Sequence, residues 1–305
     1  MNYFFLAGGV MGLENLRFLS DSNLKPSLVV FSKDEEIKNF CHENNIEFKE
    51  LSNDSSNSKN ISSLTEVLKS YDFGICSGFM QIIPGEIITT VRKGIFNIHC
   101  GKLPDYRGRA PISRTIMDGL IKLTVTIHKM DEGVDSGDIL DEETVLIDEM
   151  DNVNDVYKKA TLAASELIVK NLEKINSGKY KLSPQDISIK PKANLKITKE
   201  ERRIKWSEPV EVIYNQIRAL TYPYPGAFFI FNGKEFIIDS AIKSADFKNE
   251  MEKEKSLYGN NNSLAIIKNV SGNGVQIDFF SGSLLITKIR DESDFSIFNI
   301  GDKIE

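Results

Sequence analysis

An α/β fold with a mostly parallel sheet, followed by a smaller β-barrel-like unit, is what the order of apolar runs along these 305 residues predicts. Three observations carry the prediction. Short runs rich in Val, Ile and Phe alternate with helix-length stretches over the first part of the chain. A long helical pattern then closes that part. Beyond it the chain offers closely spaced strands separated by Asn-Gly and Ser-Gly hairpin signals.

Taken in order, Tyr3 to Ala7 reads as a first strand: no basic leader precedes it, and the run is too short to span a membrane. No membrane partner and a cytoplasmic location are therefore the expectation. Gly8-Gly9-Val10-Met11-Gly12 misses the G-x-G-x-x-G spacing, so it reads as a tight strand-to-helix turn rather than a dinucleotide site. A helix over Glu14 to Leu19, a strand over Ser27 to Phe31 and a helix over Glu35 to Asn44 follow. The Asn/Ser/Asp-rich stretch Ser52 to Ser63 predicts a loop without chemistry. Strands are expected at Phe73 to Ser77, Ile95 to Ile98, Leu123 to Met130 and Asp138 to Ile147. Apolar residues at helical spacing from Asn154 to Asn176, with Gly178 as the stop, complete the first domain.

Ser183 to Lys205 is polar and carries Pro184 and Pro191, which suits a connector. The domain boundaries are accordingly 1–185, a linker over 186–204, and 205–305. In the last domain a helix over Glu208 to Leu220 precedes strands at Ala227 to Phe231, Glu235 to Ala241, Ser263 to Lys268, Gly274 to Phe279 and Ser283 to Arg290. The Lys/Glu run from Lys248 to Lys255 reads as a solvated face. Trp206 and Phe228 are expected in the core, and His42 on a helix surface.

A net charge of −6 argues against a polyanion as the main partner, because phosphate binding relies on clustered Lys and Arg. From Lys205 to Glu305 there are eleven Lys and Arg against fourteen Asp and Glu, so nucleic acid is not the expected partner of the last domain. Cys41, Cys76 and Cys100 are odd in number and lack metal spacing, which predicts buried free thiols and no metal site. Cys100 follows His99 directly, but adjacent residues on an extended segment face opposite ways, which argues against a nucleophilic pair.

The chemistry concentrates in two segments. The first is Phe96-Asn97-Ile98-His99-Cys100-Gly101-Lys102-Leu103-Pro104-Asp105-Tyr106-Arg107-Gly108-Arg109-Ala110-Pro111, and the second is Met130-Asp131-Glu132-Gly133-Val134-Asp135-Ser136-Gly137-Asp138. A carboxamide supplies N–H donors, an imidazole moves a proton near neutral pH, and a carboxylate orients that imidazole or accepts a proton. Asn97, His99 and the carboxylates of the second segment supply that set, which suits acyl transfer to an amine. Asn97 and His99 fall at the carboxyl end of a strand, where open α/β sheets bind their ligands. His128 lies on a predicted strand and reads as a packing or locally bonded residue.

Together the two segments resemble the formyltransferase family, whose members show Asn-x-His, then Leu-Pro-x-x-Arg-Gly, and later Asp-x-Gly-x-Asp-x-Gly. The resemblance extends to Ile204-Lys205-Trp206, Ile217-Arg218-Ala219 and Tyr222-Pro223-Tyr224-Pro225-Gly226-Ala227-Phe228. It implies a Rossmann-like catalytic domain with an OB-like barrel after it, and N10-formyltetrahydrofolate as the formyl donor. Asn97 and a protonated His99 would stabilise charge on the formyl oxygen, and Asp135 would hold the imidazolium or take a proton. The folate would lie against Met80, Gln81, Ile82, Arg109, Asp131, Glu132, Gly133 and Val134.

The family's usual His-x-Ser-Leu-Leu-Pro becomes His99-Cys100-Gly101-Lys102-Leu103-Pro104 here, which opens the question of the acceptor. Methionyl-tRNA formyltransferases usually carry a basic insertion after the second strand, whereas this chain passes from Phe31 almost directly to Glu35. With Tyr106-Arg107-Gly108-Arg109-Ala110-Pro111 and the Tyr222 to Gly226 segment, the chain looks closest to enzymes that formylate nucleotide-linked amino sugars such as UDP-4-amino-4-deoxy-L-arabinose, for lipopolysaccharide or other glycan synthesis. Lys102, Arg107, Tyr222 and Tyr224 would then meet the UDP- or dTDP-sugar, and a homodimer stays open. A methionyl-tRNA acceptor is the alternative within the family. A non-catalytic folate- or nucleic-acid-binding module is the alternative outside it.

Overall fold

The computed structural model describes residues 1–51, 58–186, 188–191, 196–243, 265–292 and 294–304. By its internal contacts the chain divides into two units. The first comprises Met1–Pro111, Lys122–Leu146 and Tyr157–Asn194; the second comprises Ile112–Ile121, Ile147–Val156 and Leu195–Glu305.

In the first unit, β1 (Tyr3–Ala7), β2 (Leu28–Ser32), β3 (Glu47–Leu51), β4 (Phe73–Ser77), β5 (Ile95–His99), β6 (Lys122–Lys129) and β7 (Ile139–Leu146) form one sheet. Its order is β3-β2-β1-β4-β5-β6-β7. The pairings from β3 through β5 are parallel, while β6 runs antiparallel to β5 and β7 antiparallel to β6. Helices α1 (Gly9–Asp21), α2 (Glu35–Glu43), α3 (Ser58–Leu68) and α4 (Gly85–Thr90) and most of α6 (Val153–Ser177) belong to this unit, whereas α5 (Pro111–Met117), between β5 and β6 in the chain, falls in the second unit from Ile112 onward. Every residue of β1 and β4 is buried, as befits central parallel strands covered on both faces.

Local chemistry sets the element ends. The Asp34 carboxylate accepts from the Ile37 N–H at 3.1 Å and starts α2. Gly178, at φ +72°, terminates α6 as its spacing predicts. The glycine-rich turn after β1 is the expected tight strand-to-helix turn. A Cβ on Gly12 would lie 2.8 Å from the Ser77 carbonyl oxygen, and one on Gly78 would clash with that of Gly8. The chain thus crosses itself backbone to backbone where the strand order reverses between β1 and β4.

The structure corrects the expected loop over Ser52 to Ser63, because α3 already begins at Ser58; residues 52–57 lie outside the described part. It also adds β3, α4 and α5. The β3 sequence Glu-Phe-Lys-Glu-Leu has no apolar run because it is an edge strand, half open to water.

The second unit contains α7 (Lys199–Arg202), α8 (Val210–Leu220), β8 (Ala227–Phe231), β9 (Lys234–Lys243), β10 (Ala265–Ser271), β11 (Gly274–Phe279), β12 (Gly282–Ile289) and β13 (Lys303–Ile304). Its antiparallel sheet, ordered β13-β10-β11-β12-β9-β8, nearly closes into a barrel, since β13 also approaches β8. Trp206 and Phe228 are buried as expected, and Trp206 packs against Phe229 and Phe279. The predicted strand at Ser263 to Lys268 is described from Ala265 onward, and the Lys248 to Lys255 run lies outside the described residues. Among the described residues, no helix is long and apolar enough to cross a membrane.

A buried polar network ties the first unit together. Asn15 donates to the Thr161 carbonyl at 3.0 Å and to Ser165 Oγ at 2.7 Å, while Ser77 Oγ donates to Asn15 Oδ1 at 2.7 Å. Asn15 and Ser77 are wholly buried. Removing the amide strands its partners away from water, so Asn15→Ala is expected to destabilise the fold by roughly 2–4 kcal/mol and Ser77→Ala by about 1 kcal/mol. Urea unfolding midpoints of the two variants check this order.

Candidate active site

Asn97 and His99 sit on β5, with His99 as its last residue, and both belong to the first unit. The antiparallel turn of the sheet at this point places His128 of β6 directly opposite Asn97. The β6–β7 loop folds back so that its Asp135 carboxylate reaches all three. Asp135 Oδ2 is 3.4 Å from His99 Nδ1, and Oδ1 accepts from Asn97 Nδ2 at 3.4 Å and faces His128 Nε2 at 3.5 Å. The Gly108 backbone N–H donates to Asp135 Oδ2 at 3.0 Å. The expected amide and imidazole each reach the carboxylate, and His128 joins them.

His128 went unrecognised as part of this group because its placement depends on β5 and β6 pairing antiparallel in one register. Asn97 Nδ2 lies 3.1 Å from its Nε2, and its Nδ1 is buried without a hydrogen-bond partner among the described residues.

Protonation follows from burial and partners. Burial raises the Asp135 pKa, but the bond from His128, the attraction of His99 and the Gly108 N–H outweigh it and hold the carboxyl at about 2. His99 moves below its ordinary value, because burial opposes the charged ring more strongly than Asp135 and the Tyr106 carbonyl favour it, with His128 adding to the lowering. Desolvation thus favours the neutral ring at rest, from which the protonated His99 implied by the resemblance forms on taking up a proton. Nε2 stands 2.7 Å from the Tyr106 carbonyl oxygen, which can only accept, so the neutral ring carries its proton there. Nδ1 then presents a lone pair toward Asp135.

The loop after β5 explains the departure at position 101. A Cβ on Gly101 would lie 2.9 Å from both His99 Nε2 and Tyr106 Cβ, so a side chain here would displace the ring or its acceptor. Cys100 is buried with Sγ 3.7 Å from Met11 Sδ, and burial pushes its thiol up to about 12, which removes it as a nucleophile. Lys102 and Arg109 are exposed. Arg107, expected at the substrate, is instead 7% exposed, with Nε donating to Gln185 Oε1 at 3.0 Å and Nη2 to the Asp186 carbonyl at 3.4 Å.

The two expected cofactor loops are neighbours, since Glu132 lies alongside Gly85. Met80, Ile82 and Val134 expose 85%, 83% and 64% of their surface, an unusual concentration of apolar exposure. Gln81 donates from Nε2 to Ser32 Oγ at 2.7 Å, and its buried Oε1 has no partner among the described residues. Asp131 accepts from the Gly133 N–H at 3.1 Å and Ser136 Oγ at 2.7 Å, which shapes the loop ahead of Asp135. Tyr222 and Tyr224 belong to the second unit. Tyr222 is exposed, its ring 5.6 Å from the Arg290 guanidinium carbon, and its N–H is held by Asp239 Oδ1 at 3.1 Å. Among the described residues no group of three His, Cys, Asp or Glu could hold a metal ion.

The lowered Asp135 pKa, about 2 against 3.8, means that the unfolded chain binds the proton more readily. Its contribution of about 2 kcal/mol is present above pH 4 and is lost as pH falls toward 2. His99 acts in the same direction, because a buried neutral imidazole weakens the fold as pH falls below the unfolded value of 6.5. Urea midpoints measured from pH 6 to 3 should fall more steeply for the native chain than for Asp135→Asn.

Two family models match consecutive parts of the chain: formyl transferase over residues 25–172, and the formyl transferase C-terminal domain over residues 196–296. The chain is 37% identical over 179 residues to methionyl-tRNA formyltransferase from Halalkalibacterium halodurans, covering 59% of this chain and 56% of that one. It is 36% identical over 209 residues to the Pelagibacter ubique protein of the same name, covering 67% of each. The matched stretch spans only about half the length of the first of these relatives.

Among solved structures, a sugar 3-N-formyl transferase, WlaRD, crystallised with dTDP and 5-N-formyl-THF, superposes with a TM-score of 0.66 at 21% identity, covering 96% of this chain and 98% of that one. The N-formyltransferase from Helicobacter canadensis, in complex with folinic acid and dTDP-3-aminofucose, gives 0.70 at 18% identity, covering 94% and 99%. These likenesses establish a shared fold over nearly the whole chain. With both family domains matched in order, and with more than a third of residues identical across two thirds of a relative, the chain belongs to the formyl transferase family.

Proposed function

We propose that this protein transfers a formyl group from N10-formyltetrahydrofolate to the amine of a nucleotide-linked amino sugar, providing a formylated sugar for lipopolysaccharide or other glycan synthesis. The observation that carries the reading is the convergence of Asn97, neutral His99 and ionised Asp135, each within 3.4 Å of another. When bound, the donor supplies an activated formyl carbonyl whose oxygen gains negative charge as the amine attacks.

The protein's residues divide the work. Neutral His99 takes a proton at Nδ1 from the attacking amine. The imidazolium so formed donates to both the Tyr106 carbonyl and Asp135, replacing a contact of two acceptors by an ion pair. It returns the Nδ1 proton to N10 of tetrahydrofolate as the C–N10 bond breaks, which leaves His99 neutral again. One Asn97 N–H faces His128 Nε2. The other reaches Asp135 Oδ1 over 3.4 Å, the longer of the two contacts, and turning it to the charged formyl oxygen stabilises that oxygen. Met80, Ile82 and Val134 supply apolar surface for a flat pterin, and the unpartnered Gln81 Oε1 suits one of its N–H donors. Lys102 and Arg109 are exposed for anionic groups of the substrates, and Tyr222, backed by Arg290, offers a face for a nucleobase.

The Arg107-Gly108-Arg109-Ala110-Pro111 pattern, the net charge of −6 and the direct passage from β2 to α2 favour the sugar acceptor. So does the fold shared with structures solved with dTDP and folate compounds. Charged methionyl-tRNA is the second reading, favoured by the 36–37% identity to methionyl-tRNA formyltransferases.

The deciding assay offers UDP- and dTDP-amino sugars and charged initiator methionyl-tRNA in parallel, with N10-formyltetrahydrofolate as donor. Formylation of a sugar is expected. Transfer only to tRNA would establish the second reading, and transfer to neither would reject both. Asn97→Ala is expected to lower kcat by about 10²–10³, and His99→Ala by about 10²–10⁴.

A further inference from the structure

Asp135 occupies a left-handed backbone conformation that few residues other than glycine, asparagine and aspartate adopt. Its φ is +50°, in the left-handed region where residues other than glycine are uncommon and need support from their surroundings. The neighbouring Gly137 is equally constrained, because a Cβ there would clash with the Lys129 carbonyl oxygen. The β6–β7 loop is therefore held in a tight, unfavourable path at the residue whose carboxylate completes the site.

The support comes from fifty residues away. Gln185 Nε2 donates to the Asp135 carbonyl oxygen at 2.9 Å and to the Gly137 carbonyl oxygen at 2.7 Å, bracketing the turn. An amide can do this only if its N–H₂ end faces the loop, and Arg107 fixes that orientation: its Nε donates to Gln185 Oε1 at 3.0 Å. Arg107 also donates to the Asp186 carbonyl, and Ser183 exchanges two backbone bonds of 2.8 Å with Ile139 at the start of β7. Gln185 is thus anchored on both sides. The circuit closes through the backbone, since Gly108, next to Arg107, donates its N–H to the Asp135 carboxylate at 3.0 Å.

Resting on the formyl-transfer reading, we propose that Arg107 and Gln185 are positioning residues, which hold the Asp135 main chain so that its carboxylate meets His99 and Asn97. Arg107 is then a part of the scaffold rather than a contact to substrate. Its side chain acts on Asp135 only through Gln185, so the two residues form one device, and losing either should have the effect of losing both. The groups facing the Asp135 carboxylate are His99, His128, Asn97 and the Gly108 N–H, and none of these is altered by a change at Gln185.

The test compares the native chain with Gln185→Met, Arg107→Met and the double variant, in two measurements. Formyl transfer from N10-formyltetrahydrofolate is followed with UDP- and dTDP-amino sugars and charged methionyl-tRNA as acceptors. Urea unfolding midpoints are recorded from pH 6 to 3. Each variant is expected to lower kcat about 10- to 100-fold while KM for donor and acceptor stays within about 2-fold, because a misplaced catalytic group affects the chemical step more than binding. The double variant should be no worse than the singles, and the acid-side fall in midpoint should flatten toward that of Asp135→Asn. Unchanged kcat, additive losses, a raised acceptor KM on removing Arg107, or an acid-side fall identical to that of the native chain would each overturn the proposal. If the native chain formylates none of the acceptors, the functional reading fails, and the midpoint comparison still decides whether the clamp positions Asp135.

Discussion

An ionised carboxylate has to be kept largely out of water beside the end of a parallel sheet, and the arrangement of the first unit follows from that requirement. A buried anion without partners would take up a proton; Asp135 stays charged because a backbone N–H, the Asn97 amide and the His128 ring contact it, and the His99 ring adds its attraction once it takes a proton. No single element could supply all four. The Asn97 amide and the His99 ring come from β5, the second imidazole from the antiparallel neighbour β6, and the N–H from the loop after β5. The carboxylate itself arrives on a loop whose backbone is forced into the left-handed region to reach them.

The sheet makes this convergence possible by changing direction. From β3 to β5 the strands are parallel, and those inside the β3 edge, β2, β1, β4 and β5, are largely buried on both faces, which leaves chemistry to the loops at strand ends. At β6 the pairing becomes antiparallel, and His128, near the end of that strand, is brought opposite Asn97. The tight crossing of the Gly8 and Gly78 backbones and the buried Asn15–Ser77–Ser165 network keep β1, β4, α1 and α6 in register behind it. Rigid packing of this kind suits a site in which a displacement of about 1 Å is enough to disturb the chemistry.

Much of the fold could be read directly from the chain. The strands Tyr3–Ala7, Leu28–Ser32 and Phe73–Ser77 are continuous apolar runs because they are central and covered on both faces, and α6 shows its period over seven turns. What escaped was the edge and the short pieces. The β3 strand is half exposed and so has no apolar signature, and α4 and α5 are too short for a period to emerge. Within the site, Asn97 and His99 stood out by residue type at a strand end, and Asp135 through the family-like pattern of the second segment. His128 and Gln185 did not, since a strand histidine and a connector glutamine have ordinary structural explanations until their partners are known.

The sequence by itself determined the family-like segments, the alternation of strands and helices, the change to a hairpin-rich second part, and which residues carry an amide, an imidazole and a carboxylate. These properties are local, set by side-chain chemistry and by periods of two and 3.6 residues. Only the tertiary structure decided that His99 rests neutral, that Arg107 is buried against Gln185, that Cys100 is inert, and that Asp135 is gripped from both ends of the chain segment that follows β5 and from the connector. Protonation depends on burial, and hydrogen-bond partners depend on register and loop path. Both arise from contacts between residues far apart in the chain, which no local pattern encodes.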